Sequence, residues 1–483
     1  MNSSNSLRVL VFTAGVAAIL TVMSLLIPKD GVSIGDVKLK FLSAEQIVSA
    51  KKHEKKDISS IVSKVNTEET KENELIKHKS IAKEGVGAPQ VLNYEMNSAS
   101  QFSLSSSGKN ALWDFFKKLE RAAVDKKKIH ILHFGDSQIE GDRMTDFIRQ
   151  RMQEKFGGYG PGLIAANNVY STATFRQSYS SNFNRYTCFG GPKLKNKQYG
   201  VMNSAARFSP ESVNLNSTVQ NAWITIGTHR RANSRAQSFN KVKMFYNSCD
   251  VPCLLKVESN GRVIHEEYLV TDGNSHIVEL VFGRTPESLK FNFKSMKSPN
   301  IVGFSCEGDY GVQVDNIAMR GSSGTFFRSV NINSFKKMLN ELNTELTILQ
   351  FGGNSMPYLK DSAAVRKAAI RFKSQIQTLK SLKPDMAILM IGPSDMSKLK
   401  NGVYETYPLL EYHISQLKKV ALDAGAGYWN LFDAMGGKNS MPAWVEKDLG
   451  RTDHIHFRRK GATIAAQLFY DAFMSEYLKF KGK

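Results

Sequence analysis

The sequence predicts a three-layer α/β fold, a parallel sheet covered by helices on both faces, with an inserted β-sandwich and an N-terminal transmembrane helix. Three observations predict it. Apolar runs of strand length alternate with runs at helical spacing in residues 109–170 and again in 311–483, the texture of strands joined by crossover helices. Between them, in 171–310, helical period vanishes and short alternating runs follow one another between turn residues. Residues 9–27 carry no charge, with Arg8 before them and Pro28, Lys29 and Asp30 after, a length that spans a bilayer. The expected organisation is therefore a membrane anchor at 1–28, a charged linker at 29–108, the α/β domain in two parts at 109–170 and 311–483, and the insert at 171–310.

A chain of 483 residues has room for two folded domains. Hydrophobic residues at 41% and charged residues at 23% are ordinary for a globular protein. The net charge of +21 is not, and it favours an acidic partner: a membrane surface, nucleic acid or an anionic polymer such as a cell-wall glycan. No zinc-finger or helix-turn-helix spacing is present, and an exported chain does not meet nucleic acid. Ser24-Leu25-Leu26-Ile27-Pro28 lacks a small-x-small cleavage site, which favours an uncleaved anchor over a cleaved signal. Either one exports the rest of the chain to the periplasm or cell envelope.

Val37, Leu39, Phe41, Leu42 and Ile47 form a small apolar cluster that predicts a short element. Residues 51–84 are dense in Lys, Glu, Ser and Thr, a spacer giving reach from a membrane or else a solvated helix packed on the next domain. The Ser- and Asn-rich residues 93–108 read as the last linker, and a helix follows over 111–119.

The stretch that carries chemistry is Ile129-His130-Ile131-Leu132-His133-Phe134-Gly135-Asp136-Ser137-Gln138. An alternating β-branched run predicts a buried strand, Gly135 permits a tight turn, and helical spacing resumes by Met144. A nucleophile, Ser137, thus stands where a strand gives way to a helix, at the sheet edge where α/β folds bind ligands. Helix-start N–H groups there favour developing negative charge. Over three hundred residues later comes Thr452-Asp453-His454-Ile455-His456-Phe457. A serine hydroxyl needs an imidazole to take its proton, and the imidazole needs a carboxylate to fix its tautomer. Asp453 with His456 supplies both from one loop; His454 is the rival imidazole.

With these two motifs in this order the chain resembles the SGNH/GDSL hydrolases, over roughly residues 110–170 and 312–480. Gly135-Asp136-Ser137-Gln138 matches the family's serine block and Asp453 to His456 its last block. Val314 to Gly321 is similar to the glycine block, and Gly352-Gly353-Asn354 to the asparagine block. Two departures stand out: Ser355 where many members have aspartate, and the long insert after the first block. The resemblance implies a flavodoxin-like sheet and a triad of Ser137, His456 and Asp453, the family spacing favouring His456 over His454. It also implies an oxyanion hole from the N–H groups of Ser137 and Gly321 and the Asn354 amide. Asp136, Ser394, Asp395 and His454 are further candidates to line the pocket. No metal or cofactor is expected.

The insert's strands are predicted over 222–226, 241–246, 253–257, 277–282 and 289–293. Its position resembles that of the carbohydrate-binding-module-like insert of peptidoglycan O-acetylesterases. The resemblance therefore implies a serine esterase on an O-acetylated glycan, peptidoglycan first. The alternatives are an O-acetyltransferase using the same triad on an extracellular polysaccharide, and a non-catalytic wall-binding protein. With all four blocks outside it, the insert is expected to be separable. It holds all four cysteines, Cys188, Cys249, Cys253 and Cys306, which export permits to pair but which can equally stay free. The loop of Gly157, Gly158, Gly160 and Gly162 either walls the pocket or is a connection.

Overall fold

The computed structural model describes residues 3–26, 32–34, 37–39, 56–63, 101–212 and 218–482. Its central sheet consists of β1 (Ser103–Leu104), β2 (Lys128–Gly135), β3 (Gly311–Ala318), β4 (Thr344–Gln350), β5 (Ala387–Ile391) and β6 (Gly427–Trp429). Their spatial order is β3-β2-β4-β5-β6-β1. Strands β2 to β6 are parallel, and β1 joins the edge antiparallel to β6. The chain turns left from β2 to β3 and then crosses back to β4. The strand order therefore reverses between β2 and β4, and in a doubly wound sheet that crevice is where ligands bind.

Alternation along β2 explains the two covered faces. Ile129 and Ile131 are buried with Phe116 of α2 (Ser106–Val124), Ile148 of α3 (Thr145–Phe156) and Phe473 of α7 (Arg459–Phe480). Leu132 and Phe134 are buried on the opposite face with Leu339 of α4 (Ile332–Glu341), Phe372 of α5 (Ser362–Leu382) and Leu417 of α6 (Leu410–Asp423). Ser105 caps α2, its Oγ accepting from Gly108 N at 3.2 Å. The Ser-rich run expected to be linker up to residue 108 thus ends in an edge strand and a helix cap, because serine serves caps as readily as loops.

The insert is a sandwich of two antiparallel sheets. One orders His276–Val281, Lys241–Asn247, Asn300–Glu307, Ser204–Arg207 and Asn184–Thr187, with Gly162–Ala165 also pairing to Asn300–Glu307. The other orders Arg262–Tyr268, Leu254–Ser259, Ser288–Ser295, Gln220–Thr228 and Phe175–Tyr179. Ile224, Val242, Leu255, Phe291 and Phe304 fill the space between them. Every predicted strand lies in one of these sheets or within a residue of it. The glycine loop is a connection: Gly162 opens a sandwich strand, and none of the four glycines lines the pocket at Ser137. All four cysteines are free and buried. Burial raises their thiols, Cys188 and Cys253 to about 12 and Cys249 to about 11.

The insert is not separable in the sense expected. Tyr199, Val201, Met202, Phe245 and Val302 belong to the same apolar core as Phe134, Ile317 and Met338. A buried polar bridge reinforces this. His130 of β2 bonds Asp315 of β3 at 2.6 Å and Glu307 of the sandwich at 3.0 Å. Burial alone would lower the His130 imidazole, but the two carboxylates outweigh it and raise it.

At the N-terminus, α1 (Ser3–Leu26) is helical, with Val9, Leu10, Phe12 and Leu25 exposed. Among the described residues no helix is long and apolar enough to cross a membrane. The transmembrane helix predicted over residues 9–27 is thus not found there. Val32–Ile34 and Val37–Leu39 pair as a hairpin where the apolar cluster predicted a short element. Most of the charged spacer lies outside the described residues, but one piece of it docks. Ile58 is fully buried in the α/β core with Ile61 and Val62 packed beside it, and Lys447 Nζ donates to Ser59 Oγ at 3.0 Å.

Excising residues 172–309 should yield insoluble or unfolded protein, because it bares the apolar face that Tyr199, Met202 and Val302 cover. Circular dichroism and aryl acetate hydrolysis of the deletion protein check this; a folded, active remnant would show the shared core to be dispensable.

Candidate active site

The nucleophile loop begins with a steric demand. A Cβ on Gly135 would approach Ile139 Cδ1 to 2.8 Å and Gln350 O to 3.2 Å, so any larger residue must push the Ile139 side chain aside and crowd the end of β4. Ser137 follows at the carboxyl end of β2. The structure differs from expectation in one respect. A short turn at Glu140–Asp142, with Gly141 and Asp142 at positive φ, intervenes before α3 starts at Thr145. Ser137 therefore does not sit on the first turn of α3.

Ser137 Oγ lies 2.8 Å from His456 Nε2, and His456 Nδ1 lies 2.8 Å from Asp453 Oδ2. The second oxygen of Asp453 accepts the N–H groups of Ile455 and His456, both at 2.9 Å. Burial alone would raise this carboxyl; the bonds from the His456 N–H, the imidazole and the Ile455 N–H hold it below the usual range. An ionised carboxylate on Nδ1 leaves Nε2 bare to accept the serine proton. The ring that reaches Ser137 is that of His456, and His454 lies elsewhere. Its ring stacks on Tyr404, centroids 3.5 Å apart, and its backbone turns through positive φ.

The pocket at Ser137 encloses about 120 Å³ and is lined by Asp136, Gln350, Asn354, Pro357, Ser394 and Met396 among others. Asn354 arrives from β4 through Gly352, whose φ of 123° suits glycine. Asn354 Nδ2 donates to Asp136 Oδ2 at 2.8 Å and to Ser322 O at 3.1 Å. An incoming carbonyl oxygen must share or displace one of these bonds. Burial raises the Asp136 carboxyl to about 6, against the bonds it accepts from Gln138 N and Asn354.

Of three further candidates, Gly321 and Asp395 are placed differently and Ser394 lies as expected. Gly321 stands on an exposed turn after β3 with φ of 77° and is not among the pocket's lining residues, although its neighbour Ser322 holds Asn354. Ser394 lines the pocket and accepts from Gln138 Nε2 at 3.4 Å. Asp395 does not line it: its fully buried carboxylate accepts from Thr406 Oγ1 and Met441 N, each at 2.7 Å, and so ties loops together behind the site. Its carboxylate follows the donors available, and a sequence does not show those.

Two residues that join the loops of the candidate site escaped sequence reasoning. Arg143 donates to the carbonyls of Ser137, Glu140 (2.8 Å) and Phe457 (3.1 Å). Gln138 Nε2 donates to Ile455 O at 2.8 Å. Together they lock the serine loop to the histidine loop through backbone carbonyls, which carry no residue signature.

No family model and no curated protein matches the chain. Among solved structures, a peptidoglycan O-acetylesterase is similar over 78% of this chain and 99% of that one, at 20% identity and a TM-score of 0.61. An acetyl xylan esterase is similar over 33% of this chain and 81% of that one, at 14% identity and a TM-score of 0.26. A family two carbohydrate esterase from Cellvibrio japonicus is similar over 63% of this chain and 98% of that one, at 8% identity and a TM-score of 0.25. Only the first likeness is close enough to bear on the fold, and its overlap is longer than the two α/β parts together.

Asn354→Ala should lower kcat about 100-fold or more with little change in KM, the signature of a donor used in the transition state. Purely structural service would instead lower stability and leave turnover per folded molecule intact. Asp136→Asn tests the buried carboxyl. With its value raised to about 6, Asp136 is a carboxylate above that pH and an acid below it. The wild-type advantage over the variant should be largest near pH 8 and shrink below pH 6, where the protonated wild type imitates it; a ratio constant with pH would argue against this. Taking the ratio removes any titration common to both proteins.

Proposed function

We propose that this chain, which has the SGNH-hydrolase fold, is a serine esterase that removes O-acetyl groups from a cell-envelope glycan, most of all peptidoglycan. The observation that carries the reading is the unbroken chain from Ser137 Oγ through His456 to Asp453, opening on a small pocket. His456 Nε2 takes the hydroxyl proton as Ser137 Oγ bonds to the ester carbonyl carbon. Negative charge on the carbonyl oxygen meets the Ser137 N–H and the Asn354 amide. The tetrahedral species collapses, His456 returns the proton to the sugar hydroxyl, and acetyl stays on Ser137. Water then loses a proton to His456, adds to the acetyl carbon and expels Ser137 with that proton, releasing acetate.

The pocket volume of about 120 Å³ supports a short acyl group over a lipid chain. The fold shared with a peptidoglycan O-acetylesterase supports a glycan. The uncharged residues 9–27 support export to the cell envelope, with cell fractionation as the check.

Ser137→Ala and His456→Ala should each lower acetate release from O-acetylated peptidoglycan about a thousandfold or more, since triad members act as a unit. His454→Ala should be mild. Aryl acetate should be preferred to aryl octanoate by about tenfold or more. Acetate release unaffected in Ser137→Ala would sink the proposal, and transfer of acetyl to added oligosaccharide in place of water would reassign it as a transferase.

A further inference from the structure

The histidine loop is flanked by a groove of about 580 Å³ lined by Asp448, Arg451, Thr452, Arg458, Arg459 and Lys460. It borders Asp453 directly in the chain. Arg451 is also tied to the triad by its backbone: its N–H donates to His456 O at 2.7 Å, and its carbonyl accepts from His454 N at 3.0 Å. Four cations face one carboxylate, and Arg458 occupies that one, its Nε 3.1 Å from Asp448 Oδ1. Among the described residues neither Arg451 nor Lys460 makes an ion pair.

This arrangement works against the protein's own stability. Arg459 and Lys460 begin the 22-residue helix α7, whose first turn contains no acid. Cations at that end oppose the helix dipole, where carboxylates would help. Repulsion adds to it: burial lowers the Arg143 guanidinium, and the charges of Arg451 and Arg320 lower it further against the opposite pull of Glu140 and Asp136. The side chains are exposed, so packing does not require them. An anion in the groove would offset both effects.

We infer that the groove of Arg451, Arg459 and Lys460 is a subsite for a carboxylate on the glycan being deacetylated, holding the polymer beside His456 while an acetyl group enters the pocket. The inference rests on the esterase reading and narrows its substrate to glycans that carry carboxylates, as peptidoglycan does on its stem peptides or, where these are missing, on its lactyl groups. Phosphate shares the chemistry of the contact; carboxylate is the assignment because it is part of the substrate itself.

The test uses the full chain and soluble O-acetylated peptidoglycan fragments in two forms, native and with every carboxylate capped as a neutral amide. Wild type should show kcat/KM about tenfold higher for the native form at low ionic strength, and the ratio should shrink in high salt, as rim charges do. Gln at positions 451, 459 and 460 together (Arg451→Gln, Arg459→Gln, Lys460→Gln) should bring the ratio close to one. Arg459→Lys should keep it. Because each protein is compared with itself on two substrates, a general loss of folded enzyme cancels. A wild-type ratio near one, or a ratio that survives the triple variant, overturns the subsite while leaving the esterase standing. Inhibition by a phosphate polymer with no difference between the two forms also overturns it, in favour of a phosphate ligand. Failure to hydrolyse either form or an aryl acetate would overturn the esterase reading and the subsite with it.

Discussion

The Arg143 guanidinium fastens together the two loops of the candidate active site. Ser137 and His456 come from opposite ends of the fold, and the hydroxyl must stay within about 3 Å of the imidazole for proton transfer. Hydrogen bonding between these two side chains is too weak to hold their loops. Arg143 supplies the rigidity by donating to Ser137 O on one loop and Phe457 O on the other. A planar, permanently charged donor suits this better than lysine, since one side chain reaches several carbonyls in fixed directions. Gln138 adds a neutral bond to Ile455 O. Behind the loop, Arg149 pairs with Asp142 at 2.8 Å, and Thr174 of the sandwich donates to the same carboxylate. Insert, serine loop and α3 are thereby joined at one buried charge.

The two carboxylates of the site are held in opposite conditions. Asp453 receives three hydrogen bonds and stays ionised below its ordinary range. Asp136, one residue from the nucleophile, is buried and lifted to about 6. Pushing neighbouring acids apart in this way divides labour between them: one fixes the imidazole, and the other positions the Asn354 amide.

Much of this was legible in the sequence. Gly135-Asp136-Ser137 and Asp453-His454-Ile455-His456 are local patterns in which the residue types themselves carry the chemistry, and their order along the chain adds information. The sandwich strands were legible because period-two alternation is local too. Arg143 was not, because its partners are carbonyls that every residue owns. Asp395 was misplaced because its position at a strand end is the same as that of Asn354, and only the distant Thr406 and Met441 donors turn it away. The shared core was hidden for a similar reason. Tyr199, Val201 and Met202 lie on an irregular stretch without a period. Ile58 is one apolar residue in a charged run, and composition alone assigns such a run to solvent.

The burial of Ile58 bears on reach. Covalent geometry limits an extended chain to about 3.3–3.6 Å per residue. Were residues 27–101 one free leash, the catalytic domain could roam roughly 250 Å from the end of α1. Docking at Ile58 shortens the leash to the thirty or so residues after Leu26, hence to roughly 110 Å at full stretch. Measured from the end of α1, the greatest reach is then less than half of what the chain length suggests.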